Sequence, residues 1–286
     1  MKKYLTSLVL ILSLLIVAGC GSQANSGKHK DVTIVTSIST YADIAKNIVK
    51  DHGDVEAIIH SANVDPHDFN PDTKTAKEVA EADILIANGL GYDDWILKLK
   101  DQSDLINVSK DIAKLSDGEN EHVWFDIHYM KKLVKTITEE VSKKDPKHKK
   151  LFEKNSKSYL TKLDNIIARE KTLKQKLNGK RAYVSEPVFS YLLEDVGVKI
   201  ENKKFAKAIE DGTDPAISDM KEMESGLRNH KVDFLVVNKQ VDSNVVTKIV
   251  KIAKENNVPI IYVTETLPAK TSYVDWINGY LDKLGV

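Results

Sequence analysis

From residue 127 to residue 177 the chain stops alternating between strand-like and helix-like segments and reads as helix alone. This interruption constrains the fold more than any other feature. In its second half Phe152, Tyr159, Leu163, Ile166, Leu173 and Leu177 recur at spacings that keep them on one helical face. Asp145-Pro146 breaks the run, because proline lacks a backbone donor and pushes the residue before it out of the helical region. Beyond the break the pattern predicts one helix of about thirty residues, ~45 Å long. It ends at Asn178-Gly179, where glycine can take the left-handed conformation. A helix of that length outlasts one small lobe, so it reads as a connector between two.

On both sides of it the alternation is regular. Strands are expected at 32–36, 55–60, 83–87 and 105–108, with helices at 41–50, 72–80 and 92–100. After the connector come a strand at 181–185, a helix at 188–196, and a helix at 215–229 with Pro215 in its first turn behind an Asp214 cap. A strand at 234–237, a helix at 244–255, a strand at 260–263 and a helix at 273–284 complete the chain. The expected fold class is therefore α/β: two Rossmann-like lobes with parallel sheets joined by a long connecting α-helix. The lobes span residues 31–126 and 180–286, and the helical segment between them spans 127–179.

The amino-terminal end carries an address. Lys2 and Lys3 precede a nearly unbroken apolar run, and Val17-Ala18-Gly19-Cys20 closes it. A charged start, an apolar stretch too short to span a bilayer comfortably and small residues at its end predict a signal peptide over 1–19. A cysteine at the cleavage point resembles the lipobox of bacterial lipoproteins, which implies an acylated Cys20 anchored in the outer face of a Gram-positive-type cell membrane. The plain alternative is an ordinary signal peptide or short anchor with a chance cysteine. Residues 20–30 are small, polar and aperiodic, and read as a flexible tether.

Cys20 is the single cysteine of the 286 residues, so a disulfide within the chain, a cysteine zinc site and a thiol nucleophile are all excluded. Basic and acidic residues balance at 42 each, which gives no electrostatic case for nucleic acid or for a polybasic membrane patch.

Ligands of open α/β sheets bind beyond the carboxyl ends of strands, and four polar residues occupy such places. His67 lies in Asp65-Pro66-His67-Asp68-Phe69 and His122 in His122-Val123-Trp124-Phe125-Asp126. Glu186 follows the strand at 181–185 and Glu265 follows the strand at 260–263. Each also has a plain reading: a solvated turn histidine, a helix-capping histidine, an N-cap glutamate before Pro187 and a surface glutamate. His60 and His128 are the nearest rivals. Asp126 either orients an imidazole or starts a helix. Trp95, Trp124, Phe125 and Trp276 read as core and lobe-interface residues rather than a stacking site.

These segments carry a resemblance over the whole chain after the leader. DPHDF followed by PDTKTAKEVAEADILIANGLGYDDW, then HVWFD, YVSEPVFSY and VTET, resembles in order the motifs of the zinc/manganese solute-binding lipoproteins of ABC importers. The resemblance implies that His67, His122, Glu186 and Glu265 are metal ligands, with glutamate at 265 where the family usually carries aspartate and Ile127 where proline is common. It implies a monomeric receptor, with no catalytic cofactor, that hands Mn2+ or Zn2+ to an ABC permease and its ATPase. Two carboxylates, and an acidic loop without a histidine-rich stretch before His122, favour manganese over zinc. A siderophore or corrinoid receptor would also have the long helix, but it predicts cleft arginines, and the first arginine is Arg169. A secreted metallohydrolase lacks an HExxH motif, a nucleophile elbow and an evident open metal position.

Overall fold

The computed structural model describes residues 32–60, 64, 69–99 and 104–285. The expected signal peptide, Cys20, the tether and His67 lie outside the described residues. The first sheet is built from β1 (Val32–Ile38), β2 (Gly53–Ile59), β3 (Ile84–Ala87) and β4 (Leu105–Asn107), in the order β2-β1-β3-β4. The second uses β5 (Arg181–Val184), β6 (Lys199–Ile200), β7 (Phe234–Asn238) and β8 (Ile260–Val263), in the order β6-β5-β7-β8. Every pairing is parallel, with Ile34 beside Ile84 in one sheet and Val236 beside Ile261 in the other. Strands buried on both faces explain why β3 and β7 are apolar runs rather than alternating ones.

Helices α1 (Ser39–Val49) and α2 (Thr73–Glu81) belong to the first sheet. Helices α3 (Ile127–Lys144) and α4 (Lys149–Leu177) follow it, separated at Asp145-Pro146 as the sequence predicts. α4 runs for 29 residues and ends before Gly179, whose φ of 85° is the left-handed value glycine tolerates. It packs against α1 and α3 on the first lobe, and against α5 (Ser190–Asp195) and α9 (Tyr273–Leu284) on the second. Asn155 donates to the carbonyl of Ile48 at 2.9 Å, and Arg169 pairs with Asn278 and Asp282 on α9. The remaining helices are α6 (Lys203–Glu210), α7 (Ile217–Arg228) and α8 (Asn244–Glu255).

One hydrophobic core runs continuously through both lobes. At its centre Phe125 meets Phe189 at 5.2 Å and Trp276 at 5.0 Å between ring centroids, and Phe189 meets Tyr280 at 5.0 Å. Trp124, Phe125 and Trp276 are therefore core, as expected, while Trp95 is half-buried against Phe69.

Some expectations fail locally. The helix expected at 92–100 shrinks to Asp94–Leu97. Gly89, Leu90 and Gly91 all have positive φ and wind the chain, and the buried Asp93 carboxylate accepts from the backbone N–H groups of Asn88 and Gly89. The helix expected from Pro215 starts at Ile217 with Ala216 as its uncapped N-cap, so Asp214 is no cap. Residues 187–189 are a 3-10 turn before α5, not its first turn. Strand β6 and helix α6 were not expected at all.

Candidate metal-binding site

Strand β5 ends at Val184 and delivers Glu186; β8 ends at Val263 and delivers Glu265. Asn238, at the end of β7, donates from Nδ2 to Glu186 Oε2 at 2.8 Å. Gln240 accepts the backbone N–H of Glu265 at 2.7 Å and fixes the turn that carries it. Both carboxylates line one cavity of about 1090 Å³, together with Glu121 and Glu210. Glu210 ends α6, and Glu121 precedes the 3-10 turn Val123–Phe125.

His122 caps that turn and is only 1% exposed. Its ring meets Tyr92 and Trp124 edge-on, at 6.2 and 5.2 Å between centroids. Nδ1 lies 2.7 Å from Asn120 Oδ1 and 3.6 Å from Glu210 Oε1. Ligand atoms from Glu121, His122 and Glu210 all fall within 4.8 Å of one another.

The electrostatics of this corner are unbalanced. Burial, and next the charges of Glu121 and Glu186, push the Glu210 carboxyl up to about 8, even though Lys207 pairs with it at 3.1 Å. Burial first, and then the charge of Glu265, hold the Tyr92 hydroxyl far above its ordinary value. Carboxylates crowded around one cavity repel, and a divalent cation would relieve that repulsion. The residues present fit such an ion: imidazole and carboxylate are ligand types for first-row divalent metals.

The structure thus brings Glu186 and Glu265 to one cavity and places His122 beside Glu121 and Glu210, which line it. His60 is exposed at the end of β2 and lines a different cavity with Asp43 and Glu56. His128 is exposed on α3. Asp126 accepts from the backbone N–H groups of His128 and Tyr129, so it caps α3. Sequence reasoning missed Glu121 and Glu210. Glu121 stands next to His122 but in no ligand pattern, and Glu210 sits on the unexpected helix α6.

Comparison with known proteins adds to this geometry. The ZnuA family model, described as zinc-uptake complex component A, periplasmic, matches residues 34–285. The manganese ABC transporter substrate-binding lipoprotein PsaA of Streptococcus pneumoniae is 30% identical over 99% of this chain and 98% of its own length. The high-affinity zinc uptake system protein ZnuA of Bacillus subtilis is 30% identical over 69% of this chain and 70% of its own. The periplasmic zinc binding protein TroA from Treponema pallidum shares the fold, with a TM-score of 0.74 at 21% identity over 89% of this chain and 98% of that one.

Proposed function

Because the chain belongs to the ZnuA family of metal-uptake components, we propose that it is the extracytoplasmic receptor of an ABC importer, which captures a divalent transition metal and passes it to a permease driven by an ATPase. The observation that carries this reading is the cavity lined by Glu121, Glu186, Glu210 and Glu265, with His122 buried beside it. His122, Glu186 and Glu265 are the proposed ligands, and His67 is the fourth. Glu121 and Glu210 add negative charge within reach of the same place.

Binding rather than catalysis follows from the donor set. Two imidazoles and two carboxylates surround the ion with protein donors and leave little room for a water to be activated. Ligands drawn from two lobes also provide for release, since a small tilt of one lobe withdraws part of the shell. The protein acts as a monomer held by acylated Cys20 to the outer face of the membrane.

Manganese is the proposed cargo in the cell, with zinc the competing ion. Carboxylate oxygens suit the harder ion, and the cavity has more of them than the sequence motifs alone supply. Zinc binds in vitro regardless, because it outranks manganese at almost any such site. Two measurements test this. Protein purified without chelator carries one first-row transition ion per chain; a preparation with none, which also fails to take up added Mn2+ or Zn2+, sinks the receptor reading. Deleting the gene lowers cellular manganese, and a strain depleted and rescued only by zinc overturns the choice of metal alone.

A further inference from the structure

Asn120 lies two residues before His122 and bonds in three directions. Its Oδ1 accepts the backbone N–H of His122 at 3.1 Å and lies 2.7 Å from His122 Nδ1. Its Nδ2 donates to the carbonyl of Pro187 at 3.1 Å. Its own carbonyl accepts the hydroxyl of Tyr191 at 2.7 Å. Pro187 adjoins Glu186, and Tyr191 lies on α5, so two of the three partner residues belong to the second lobe.

The orientation of the amide follows from its partners. A backbone N–H can only donate and a carbonyl oxygen can only accept, so the atom facing the first is oxygen and the atom facing the second is nitrogen. An amide oxygen has no proton to give. The short contact to His122 therefore requires a proton on Nδ1. Glu210 Oε1, at 3.6 Å from the same nitrogen, is beyond hydrogen-bond reach. In the neutral imidazole the lone pair is then on Nε2.

We propose that Asn120 is the positioning residue of this site: its side-chain oxygen holds His122 in the Nδ1–H tautomer, so that Nε2 is the metal-ligating nitrogen, and its amide N–H ties that imidazole to the backbone beside Glu186 in the other lobe. One side chain thus sets the chemical state of a ligand in the first lobe and its register with a ligand in the second. A carbonyl-type acceptor behind the distal nitrogen is a recurrent way of orienting a ligating histidine. Here the acceptor is itself anchored across the lobe boundary. The proposal rests on His122 being a ligand, and its test keeps the two ideas apart.

The test uses the metal-free protein without its leader, with 15N-labelled histidine, above the pH range in which imidazole protonates. The 15N chemical shifts of His122, assigned by comparison with His122→Ala, should report the Nδ1–H tautomer in the wild type. Asn120→Ala should shift them toward the other tautomer or a mixture, and should weaken Mn2+ binding about ten- to hundredfold. Asn120→Asp keeps the acceptor but loses the N–H that reaches Pro187, so it should retain the tautomer and recover only part of the affinity. Thermal melts establish that each variant is folded. An unchanged tautomer in folded Asn120→Ala, or a changed tautomer with unchanged Mn2+ affinity, overturns the proposal. If Asn120→Ala does not fold, the Asn120→Asp spectrum decides, and loss of the Nδ1–H signature there overturns it. A wild-type protein that binds neither Mn2+ nor Zn2+ overturns the receptor reading instead, because the tautomer is read without metal.

Discussion

Glu210 and Glu170 make an instructive pair, because both are buried carboxyls pushed up to about 8, in two different regions. Glu210 lines the cavity, within 4.8 Å of ligand atoms of Glu121 and His122. Glu170 is 4% exposed in the last third of α4, and its Oε1 makes no hydrogen bond. Burial raises it first, then the charges of Asp195 and Asp126. Asp195 on α5 is itself pushed up to about 6, again by burial and then by Asp126. Among the described residues, the one group of ligand atoms gathered within 4.8 Å includes Glu210 and not Glu170. A perturbed carboxyl is thus common to both places, and does not by itself mark a site. An imidazole and an accessible cavity distinguish them.

The sharpest way to break the comparison is metal titration. Mn2+ affinity should fall at least about a hundredfold in His122→Ala or Glu186→Ala, since each removes a proposed ligand. Glu170→Gln should remain within about twofold of wild type by the same titration. Comparable losses in Glu170→Gln would mean that the two regions are one coupled system.

The second test uses pH. For both carboxyls the folded pKa lies above the ordinary 4.5, so between about 4.5 and 8 the folded state holds protons that the unfolded state has released. Stability of the metal-free protein therefore falls as pH rises through that window, by up to about 1.4 kcal/mol per pH unit for each group. Glu170→Gln and Glu210→Gln should each flatten the slope in denaturant unfolding at pH 5, 6, 7 and 8. A wild-type stability that climbs over this range would contradict both assignments.

Smaller effects sharpen the contrast. Asp126→Ala removes the cap of α3 and should cost about 1 kcal/mol in chemical denaturation, with Mn2+ affinity unchanged. A large loss of affinity would restore the role of imidazole orienter that the sequence left open. Lys207→Met removes a half-exposed cation from the cavity wall, and should tighten Mn2+ by no more than about fivefold in low salt, an effect that salt erases. Weaker binding would show that Lys207 holds Glu210 in place rather than competing with the ion.

How much of this was legible in the sequence varies by element. Asn244–Glu255, Ile260–Val263 and Tyr273–Leu284 come out at the limits read from the sequence. There amphipathic spacing and side-chain caps such as Ser272 agree with the tertiary structure. Helix α6 was overlooked because its eight residues, KKFAKAIE, are short and lysine-rich, although Phe205, Ala206 and Ile209 do fall on one helical face. With the helix went Glu210. Glu186 and Glu265 were legible because strand ends in α/β sheets mark where ligands go. Asn120 and Glu121 stand beside His122 in the sequence, but their meeting with Pro187, Tyr191 and Glu210 depends on segments far apart in the chain, and no local spacing encodes it. Asp214-Pro215 misled because an extended residue before proline suits an N-cap, yet Ala216 is extended too, with ψ 145°, and the helix waits until Ile217.

Among the described residues each sheet takes its four strands from one stretch of chain, residues 32–107 and 181–263, and no strand is exchanged between them. The first lobe can therefore assemble while the second is still being synthesised. Its joining surface cannot be finished so early. Trp124 and Phe125 wait for Trp276 and Tyr280, while the hydroxyl of Tyr273 closes on the carbonyl of Trp124 at 2.6 Å and its backbone N–H on Asp43 at 3.1 Å. All of these partners lie on α9, which is made after both sheets. Until that helix docks, a folded first lobe presents an aromatic face to its surroundings. The last helix of the chain is thus the keystone of the joint, since it is the piece that closes this aromatic face.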